Sequence, residues 1–174
     1  MGRIAVENAS AYTYFNKQSV MQNLLHQLKY KGKKEIGLYF GRRIGEALGS
    51  SGRYKEIDAL VPLPLFFKRE RKRGYNQAAM ICEGIAEIMD LPVLNNVIVR
   101  KRSTETQTHK TRTERWENIE GKFELINKEK VEGKHVLLVD DVLTTGATLE
   151  ACGSELLKAR GLKLSIATLA YTSL

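Results

Sequence analysis

Hydrophobic residues recur along the chain with two periods, and this predicts strands that alternate with helices. Short apolar runs predict strands at Ile57–Leu65, Val97–Val99, Phe123–Ile126, Val136–Val139 and Leu164–Ala170. Apolar residues three or four positions apart predict helices at Val20–Leu28, Ile36–Leu48 and Ala78–Met89, and from Leu149 until Gly161. This order predicts an α/β fold with a mainly parallel sheet and helices on both faces.

The segment before Ile57 shows helical patterns only, and we expect it to cap the edge of the sheet. The 174 residues then form a single domain, with a helical N-terminal segment at 1–56 and a core at 57–174. Three glycines recur every four residues in the second helix and leave one face nearly bare, at Gly37, Gly41 and Gly45. We expect that face to pack closely against another element. Ser19 and Asn76 are the candidate helix caps.

The segment between the second and third strands has a different character. Residues 103–118 are polar and lack an apolar period, and Trp116 is their one large apolar side chain. A segment of this length without structure in a compact domain is usually a functional loop. We therefore interpret it as a lid.

Charge is concentrated in two places on a chain whose formal net charge is +8. Lys68–Arg73 holds five basic residues and one acidic residue, and Arg100–Asn118 holds six basic and three acidic residues. Such segments favour a concentrated anion or a nucleic-acid surface, and two solvated loops are the alternative.

The two cysteines and the distribution of apolar residues exclude some classes of protein. Cys82 and Cys152 lie in apolar helical contexts without a CxxC pair, so we expect buried thiols, with neither a disulfide framework nor a zinc site. No apolar run approaches the length of a membrane span, and no signal peptide is visible. We expect a cytoplasmic location.

One stretch, His135–Thr148, combines a predicted strand with candidate chemistry and reads HVLLVDDVLTTGAT. Asp140 and Asp141 follow the apolar run, and Thr144–Thr148 leads into a predicted helix. Free N–H groups at a helix N-terminus suit a phosphate. Neighbouring carboxylates suit a ligand that also offers hydroxyls or a metal ion, as ribose 5-phosphate does. The alternative is a solvated Asp-Asp turn with a threonine cap.

Two other phosphate-binding motifs are excluded by the residues of the loop. No lysine follows the glycine, which excludes a Walker A loop. Gly146 is the loop's single glycine, which excludes a dinucleotide-binding fingerprint.

The stretch VLLVDDVLTTGAT resembles the phosphoribosyl pyrophosphate (PRPP) binding motif of type I phosphoribosyltransferases. Other stretches are similar to the ComF/GntX-type branch of these enzymes: LLHQLKYKGKKEIG, VPLP, KRERKRGYNQA, R-x-R-x-T-x-x-Q at 100–107 and ERWENIEGKF. The branch is linked to DNA uptake in naturally competent bacteria, and its domain is often labelled amidophosphoribosyltransferase-like. Many members begin with a four-cysteine zinc ribbon, which the two cysteines of this chain cannot form.

The resemblance implies the type I phosphoribosyltransferase fold and a reaction in which a nitrogen nucleophile displaces pyrophosphate from C1 of PRPP. Asp140 and Asp141 would hold the ribose hydroxyls and organise Mg²⁺ through water. The 5-phosphate would lie in the loop of Thr144, Thr145, Gly146, Ala147 and Thr148.

The resemblance also implies how pyrophosphate is bound. Leu63, Pro64 and Leu65 would supply backbone contacts, and Arg73 would act as a catalytic charged clamp. From the predicted lid, Arg100, Arg102 and Arg115 could close over the diphosphate, because a guanidinium binds phosphate in a bidentate manner.

No base for the acceptor is evident. His26 and His135 fall in predicted elements and are interpreted as structural, and His109 of the lid is a weak candidate. A second hypothesis stays open, that of a non-catalytic competence or DNA-uptake factor. The partners under consideration are PRPP and pyrophosphate, then single-stranded DNA or competence proteins, and a homodimer.

Overall fold

A parallel sheet organises the residues that the computed structural model describes, which are 4–15, 19–101 and 123–172. Its strands are β1 (Ala9–Tyr14), β2 (Ala59–Pro62), β5 (His135–Leu143) and β6 (Lys163–Tyr171). Their order is β1-β6-β5-β2, and every neighbouring pair is parallel. Two short strands, β3 (Ile98–Arg100) and β4 (Phe123–Leu125), form a separate antiparallel pair.

Five α-helices accompany the strands in the described part of the chain. They are α1 (Val20–Tyr30), α2 (Lys34–Ser51), α3 (Phe67–Arg73), α4 (Gln77–Met89) and α5 (Ala147–Leu156). A single 3₁₀ turn lies at Lys128–Lys130. Both predicted caps are confirmed: Ser19 Oγ accepts from Gln22 N–H at 3.2 Å, and Asn76 Oδ1 accepts from Ala78 N–H at 3.0 Å.

The core lies on both faces of β5, as expected for a strand buried on two sides. Leu137 and Val139 belong to the hydrophobic cluster that contains residues of α1, α2 and α4. Val136 and Leu138 belong to a second cluster that contains residues of α5, β3 and β4. All four are fully buried. The prediction of a mainly parallel sheet with helices on both faces is confirmed.

The prediction that the segment before Ile57 is entirely helical is wrong, because β1 lies within it and pairs with β6. Its sequence ASAYTY has no apolar run, since it is an edge strand with alternate residues exposed. Small residues, hydroxyls and tyrosines at such an edge carry too weak a period to be recognised. The N-terminal segment therefore contributes to the sheet as well as covering it.

Two boundaries also differ from prediction. β2 is shorter than Ile57–Leu65 and ends at Pro62, because a proline has no N–H to donate to the neighbouring strand. β5 continues through the acid pair to Leu143, because β6 runs beside it and supplies partners, among them Thr168 for Asp140. The acid pair is therefore part of a strand.

Close packing of α2 against α4 explains the glycine period. A Cβ built on Gly41 would lie 2.8 Å from the Cα of Gly84, and one on Gly37 would lie 2.7 Å from the Cβ of Met80. Gly45 lies equally close to Ile88. The predicted close approach to another element is confirmed.

Among the described residues, no helix is long and apolar enough to cross a membrane. Cys82 and Cys152 are buried free thiols, as predicted, and burial raises the pKa of both.

We expect Gly41→Ala to destabilise the protein by about 1–3 kcal/mol, because the new methyl group would overpack the α2–α4 contact. Gly49→Ala, in the same helix, is the matched control: a Cβ there meets no atom within 4 Å. That change should stabilise the helix by about 0.5–1 kcal/mol. Denaturant unfolding of both variants measures the difference, and equal effects would contradict the packing role of Gly41.

Candidate functional site

Asp140 and Asp141 leave β5 on opposite faces, because successive residues of a strand point to opposite sides. Asp140 continues the face of Val136 and Leu138, toward α5, whereas Asp141 continues the face toward α1. The two are joined by a hydrogen bond from Asp141 N–H to Asp140 Oδ1 at 2.8 Å. The acid pair therefore presents two carboxylates with different surroundings.

Asp141 is paired with Lys29, a residue of α1 that sequence reasoning missed. The distance from Lys29 Nζ to Asp141 Oδ2 is 2.8 Å. Lys29 lies more than 100 positions earlier, in the stretch LKYKGKK, and nothing in its spacing singles it out from the other lysines. Only the packing of α1 reveals which lysine reaches the acid.

The pKa of Asp140 is raised from its ordinary 3.8 to about 8, first by burial and then by the neighbouring charge of Asp141. The hydrogen bond from Asp141 N–H and the charges of Lys29 and Arg100 act in the opposite direction. A carboxyl group with such a shift is characteristic of a functional site.

Each basic segment supplies an arginine to these surroundings: the charge of Arg100 acts on Asp140, and the charge of Arg69 acts on Arg100. Arg100 is at the end of β3, with its guanidinium 5.5 Å from the centre of the Phe123 ring. Burial and the charge of Arg69 lower the pKa of Arg100, and Asp140 acts in the opposite direction. Arg69, on α3, was not among the predicted site residues. Of the two basic segments, the second thus contributes the charge that acts on Asp140 directly, through Arg100.

The loop after β5 leads into the N-terminus of α5, where backbone N–H groups of the first turn are available as donors. Gly146 is the N-cap of α5 and adopts a left-handed conformation with φ 80°, which favours glycine. Thr145 Oγ1 accepts from Ala147 N–H at 3.4 Å, and Thr144 and Thr145 are exposed. N–H groups in the first turn of a helix are available to an anion. Thr148 follows in that turn, as predicted.

The predicted pyrophosphate segment lies at the end of β2, next to β5, but its backbone is largely engaged. Leu63 N–H donates to Val139 O at 2.8 Å, and Leu63 O accepts from Asn76 Nδ2 at 2.9 Å. Pro64 has no N–H. Of the three predicted residues, Leu65 is therefore the one whose N–H is a candidate donor to a ligand.

Arg73 lies at the end of α3 with its guanidinium 5.3 Å from the centre of the Tyr30 ring. It is not among the charges that shift the pKa of Asp140. The structure therefore places Arg73 beside α1, and its predicted clamp role stays a prediction.

Some predicted residues fall outside the described ranges: Arg102, His109, Arg115 and the remainder of 103–118. Of the other histidines, His26 lies on α1 against Tyr30, and His135 is buried with Nε2 2.9 Å from Ser165 Oγ.

The arrangement suits a ligand that has both an anionic group and hydroxyl groups. The described residues contain no group of three or more His, Cys, Asp or Glu side chains that could hold a metal ion. Mg²⁺, however, is commonly bound by one or two carboxylates together with the phosphates of a substrate. Asp140 and Asp141 fit a cation that arrives with its ligand.

Sequence comparison relates the chain to proteins that are named for competence. It is 32% identical over 144 residues to competence protein F of Haemophilus influenzae, and the aligned stretch covers 80% of this chain and 62% of that protein. It is 35% identical over 143 residues to competence protein ComFC of Bacillus subtilis, which covers 82% of this chain and 55% of that protein. The chain thus spans little more than half the length of these relatives.

The fold is shared with a solved structure, the glutamine phosphoribosylpyrophosphate amidotransferase from B. subtilis complexed with ADP and GMP. The TM-score is 0.51 at 18% identity, over 81% of this chain and 30% of that one. Residues 76–173 match the family described as the phosphoribosyl transferase domain. That range contains the acid pair, the loop at Gly146 and α5. The chain therefore belongs to the phosphoribosyl transferase family, and its relatives confirm the resemblance to the ComF-type branch.

Proposed function

We propose that this protein binds PRPP together with Mg²⁺ and transfers its phosphoribosyl group to a nitrogen nucleophile, releasing pyrophosphate. The observation that carries the proposal is that two features lie close together in the chain at the C-terminal end of β5. An acid with a strongly raised pKa lies in β5, and a left-handed glycine starts a helix a few residues later. The first suits hydroxyl groups and a hydrated cation, and the second suits a phosphate.

The ligand is accommodated by three groups of residues in this proposal. Thr144–Thr148 cradles the 5-phosphate with backbone N–H groups and hydroxyls. Asp140 and Asp141 accept from the ribose hydroxyls and hold Mg²⁺ through water. The Leu65 N–H and the guanidinium of Arg100 bind pyrophosphate, with Arg73, Arg102 and Arg115 as further candidates from the sequence.

The transfer breaks the bond between C1 of the ribose and the pyrophosphate oxygen, and the electron pair leaves with pyrophosphate. The nucleophile's nitrogen forms the new bond to C1 and releases its proton to water. Positive charge develops on the ribosyl carbon while negative charge develops on the leaving group, so catalysis rests on orientation and on cations around pyrophosphate. Arg100 meets the second requirement from this chain, and bound Mg²⁺ would add charge neutralisation.

A second candidate function is that of a DNA-uptake factor that retains the fold without turnover. The names of the relatives, competence protein F and ComFC, favour it. So does α3, where Lys68, Arg69, Arg71 and Lys72 are exposed next to the half-buried Arg73. Exposed basic side chains attract a nucleic-acid backbone irrespective of its sequence.

Two measurements separate the candidates. Calorimetric titration with PRPP and Mg²⁺ tests binding, and pyrophosphate release in the presence of a panel of nucleobases and amines tests turnover. Release with one acceptor supports the transferase. Binding of PRPP without release from any acceptor, together with binding of single-stranded DNA, supports the second candidate.

We expect Asp140→Asn to weaken Mg²⁺–PRPP binding at least about tenfold, because charge-assisted hydrogen bonds contribute ~1.5–3 kcal/mol each. Calorimetry measures the change. Asp58→Asn is the matched control: Asp58 Oδ2 accepts from His135 N–H at 2.7 Å, at the opposite end of the same strand. It should leave affinity unchanged. Equal affinities for wild type and Asp140→Asn would overturn the assigned site.

The same variant should be more stable than wild type at high pH. Between the ordinary pKa of 3.8 and the folded-state pKa of about 8, folded Asp140 binds a proton that the unfolded chain has released. Stability is therefore lost as pH rises across that window, and an asparagine avoids the loss. We expect Asp140→Asn to melt several degrees higher at about pH 8.5 and close to wild type at about pH 4. A constant difference at both pH values would contradict the shifted pKa.

The loop is tested by Gly146→Ala. A side chain at φ 80° strains the backbone, and the displaced N–H groups should lose their alignment on a phosphate. We expect affinity for ribose 5-phosphate to fall at least about tenfold, as several hydrogen bonds to charged oxygens are lost. Gly133→Ala, with φ 69° in a turn at the other end of β5, should carry a similar folding cost without a change in affinity. Normal affinity in folded Gly146→Ala would show that the phosphate lies elsewhere.

A further inference from the structure

We propose that Lys29 of α1 is a specificity-determining residue of this site: its ammonium cancels the charge of Asp141 and thereby lets the acid pair accept an anionic ligand. The proposal rests on the proposed function and names a residue that the transferase core does not contain. Lys29 lies outside residues 76–173, which match the phosphoribosyl transferase domain.

The ion pair differs from the other ion pairs of the described residues in its burial. The side chain of Asp141 is 12% exposed and that of Lys29 is 27% exposed. In the pairs Arg42–Glu87 and Arg43–Glu46, each side chain is about half exposed. A partly enclosed carboxylate is poorly screened by water, so its partner's charge matters more than it would on an open surface.

Contacts on both sides of Lys29 fix its position. The Tyr75 hydroxyl donates to the carbonyl of Leu28, and the Arg73 guanidinium covers the ring of Tyr30. Asn76, which follows Tyr75, donates from Nδ2 to Leu63 O at the end of β2 and also caps α4. Residues 73–76 thus connect the end of α1 to the backbone beside the acid pair. These contacts hold the end of α1 in the position from which Lys29 reaches Asp141.

The consequence is electrostatic. Without Lys29, Asp141 would present an unbalanced carboxylate next to Asp140, and this charge would oppose a diphosphate or phosphate. With Lys29, the same carboxylate is neutralised while its oxygens keep their capacity to accept hydrogen bonds. The site can then combine acceptors for hydroxyl groups with tolerance for an anion, which the two aspartates alone could not do.

A double-mutant cycle tests the proposal by calorimetric titration with ribose 5-phosphate and with PRPP and Mg²⁺. We expect Lys29→Met to weaken both affinities about tenfold or more, the effect of one charge a few ångströms away. Lys29→Arg should retain binding within about threefold because the charge remains. In the Asp141→Asn background, Lys29→Met should change affinity by less than about twofold, since the carboxylate that holds the Lys29 ammonium at the site is gone.

Lys33→Met is the matched control, because Lys33 also pairs with a carboxylate, Glu35 at 3.5 Å, but both side chains are exposed. It should leave both affinities unchanged. If Lys29→Met does not fold, two other comparisons replace the cycle: Lys29→Arg with wild type, and the double variant Lys29→Met/Asp141→Asn with Asp141→Asn. Unchanged affinity in both comparisons supports the proposal, and a loss of affinity in either overturns it.

The outcomes distinguish this proposal from the proposed function. Wild type that binds neither ligand overturns both. Wild type that binds, with Lys29→Met binding equally well, overturns the role of Lys29 alone. An equal loss from Lys29→Met in both backgrounds also overturns it, because Lys29 would then act independently of the charge of Asp141.

Discussion

Burial of β5 on both faces is the constraint on which the rest of the structure depends. Its apolar run Val136–Val139 is fully enclosed between the helices α1, α2 and α4 on one side and α5 on the other. The strand then continues into two aspartates without leaving the sheet. A fully buried strand delivers Asp140 and Asp141 to a fixed place, on opposite faces, in surroundings that water only partly reaches. The shifted pKa of Asp140 follows from that placement.

Such a site costs stability, because burial of a carboxyl group near a second one disfavours ionisation. The surroundings reduce the cost unequally. Asp141 has a direct ion-pair partner in Lys29, whereas Asp140 accepts from one backbone N–H and is influenced by the charges of Lys29 and Arg100. The less compensated acid is the one left to gain partners from a ligand. This asymmetry agrees with the general observation that functional sites retain strain which a merely stable fold would remove.

Much of the fold and part of the candidate site could be predicted from the sequence. The apolar run at Val136–Val139, the helix periods and the glycine spacing of α2 are local patterns, and the structure confirms each of them. The strand β1 was missed because an edge strand of small and aromatic residues has no distinct apolar period. Lys29 and Arg69 were missed for another reason. Each is one of several neighbouring basic residues, and only tertiary packing shows that Lys29 pairs with Asp141 and that the charge of Arg69 acts on Arg100.

The features that sequence reasoning missed all lie in the part of the chain before the family match. The stretch that matches the transferase family begins at Asn76 and contains the acids, the loop and α5. The residues before it supply Lys29, Arg69 and the end of β2, and the Tyr75 hydroxyl bonds to α1 just where the match begins. The matched core thus holds the acids and the loop, while the preceding segment supplies the lysine that pairs with Asp141. The charge around the acid pair therefore depends on how these two parts of the chain pack together.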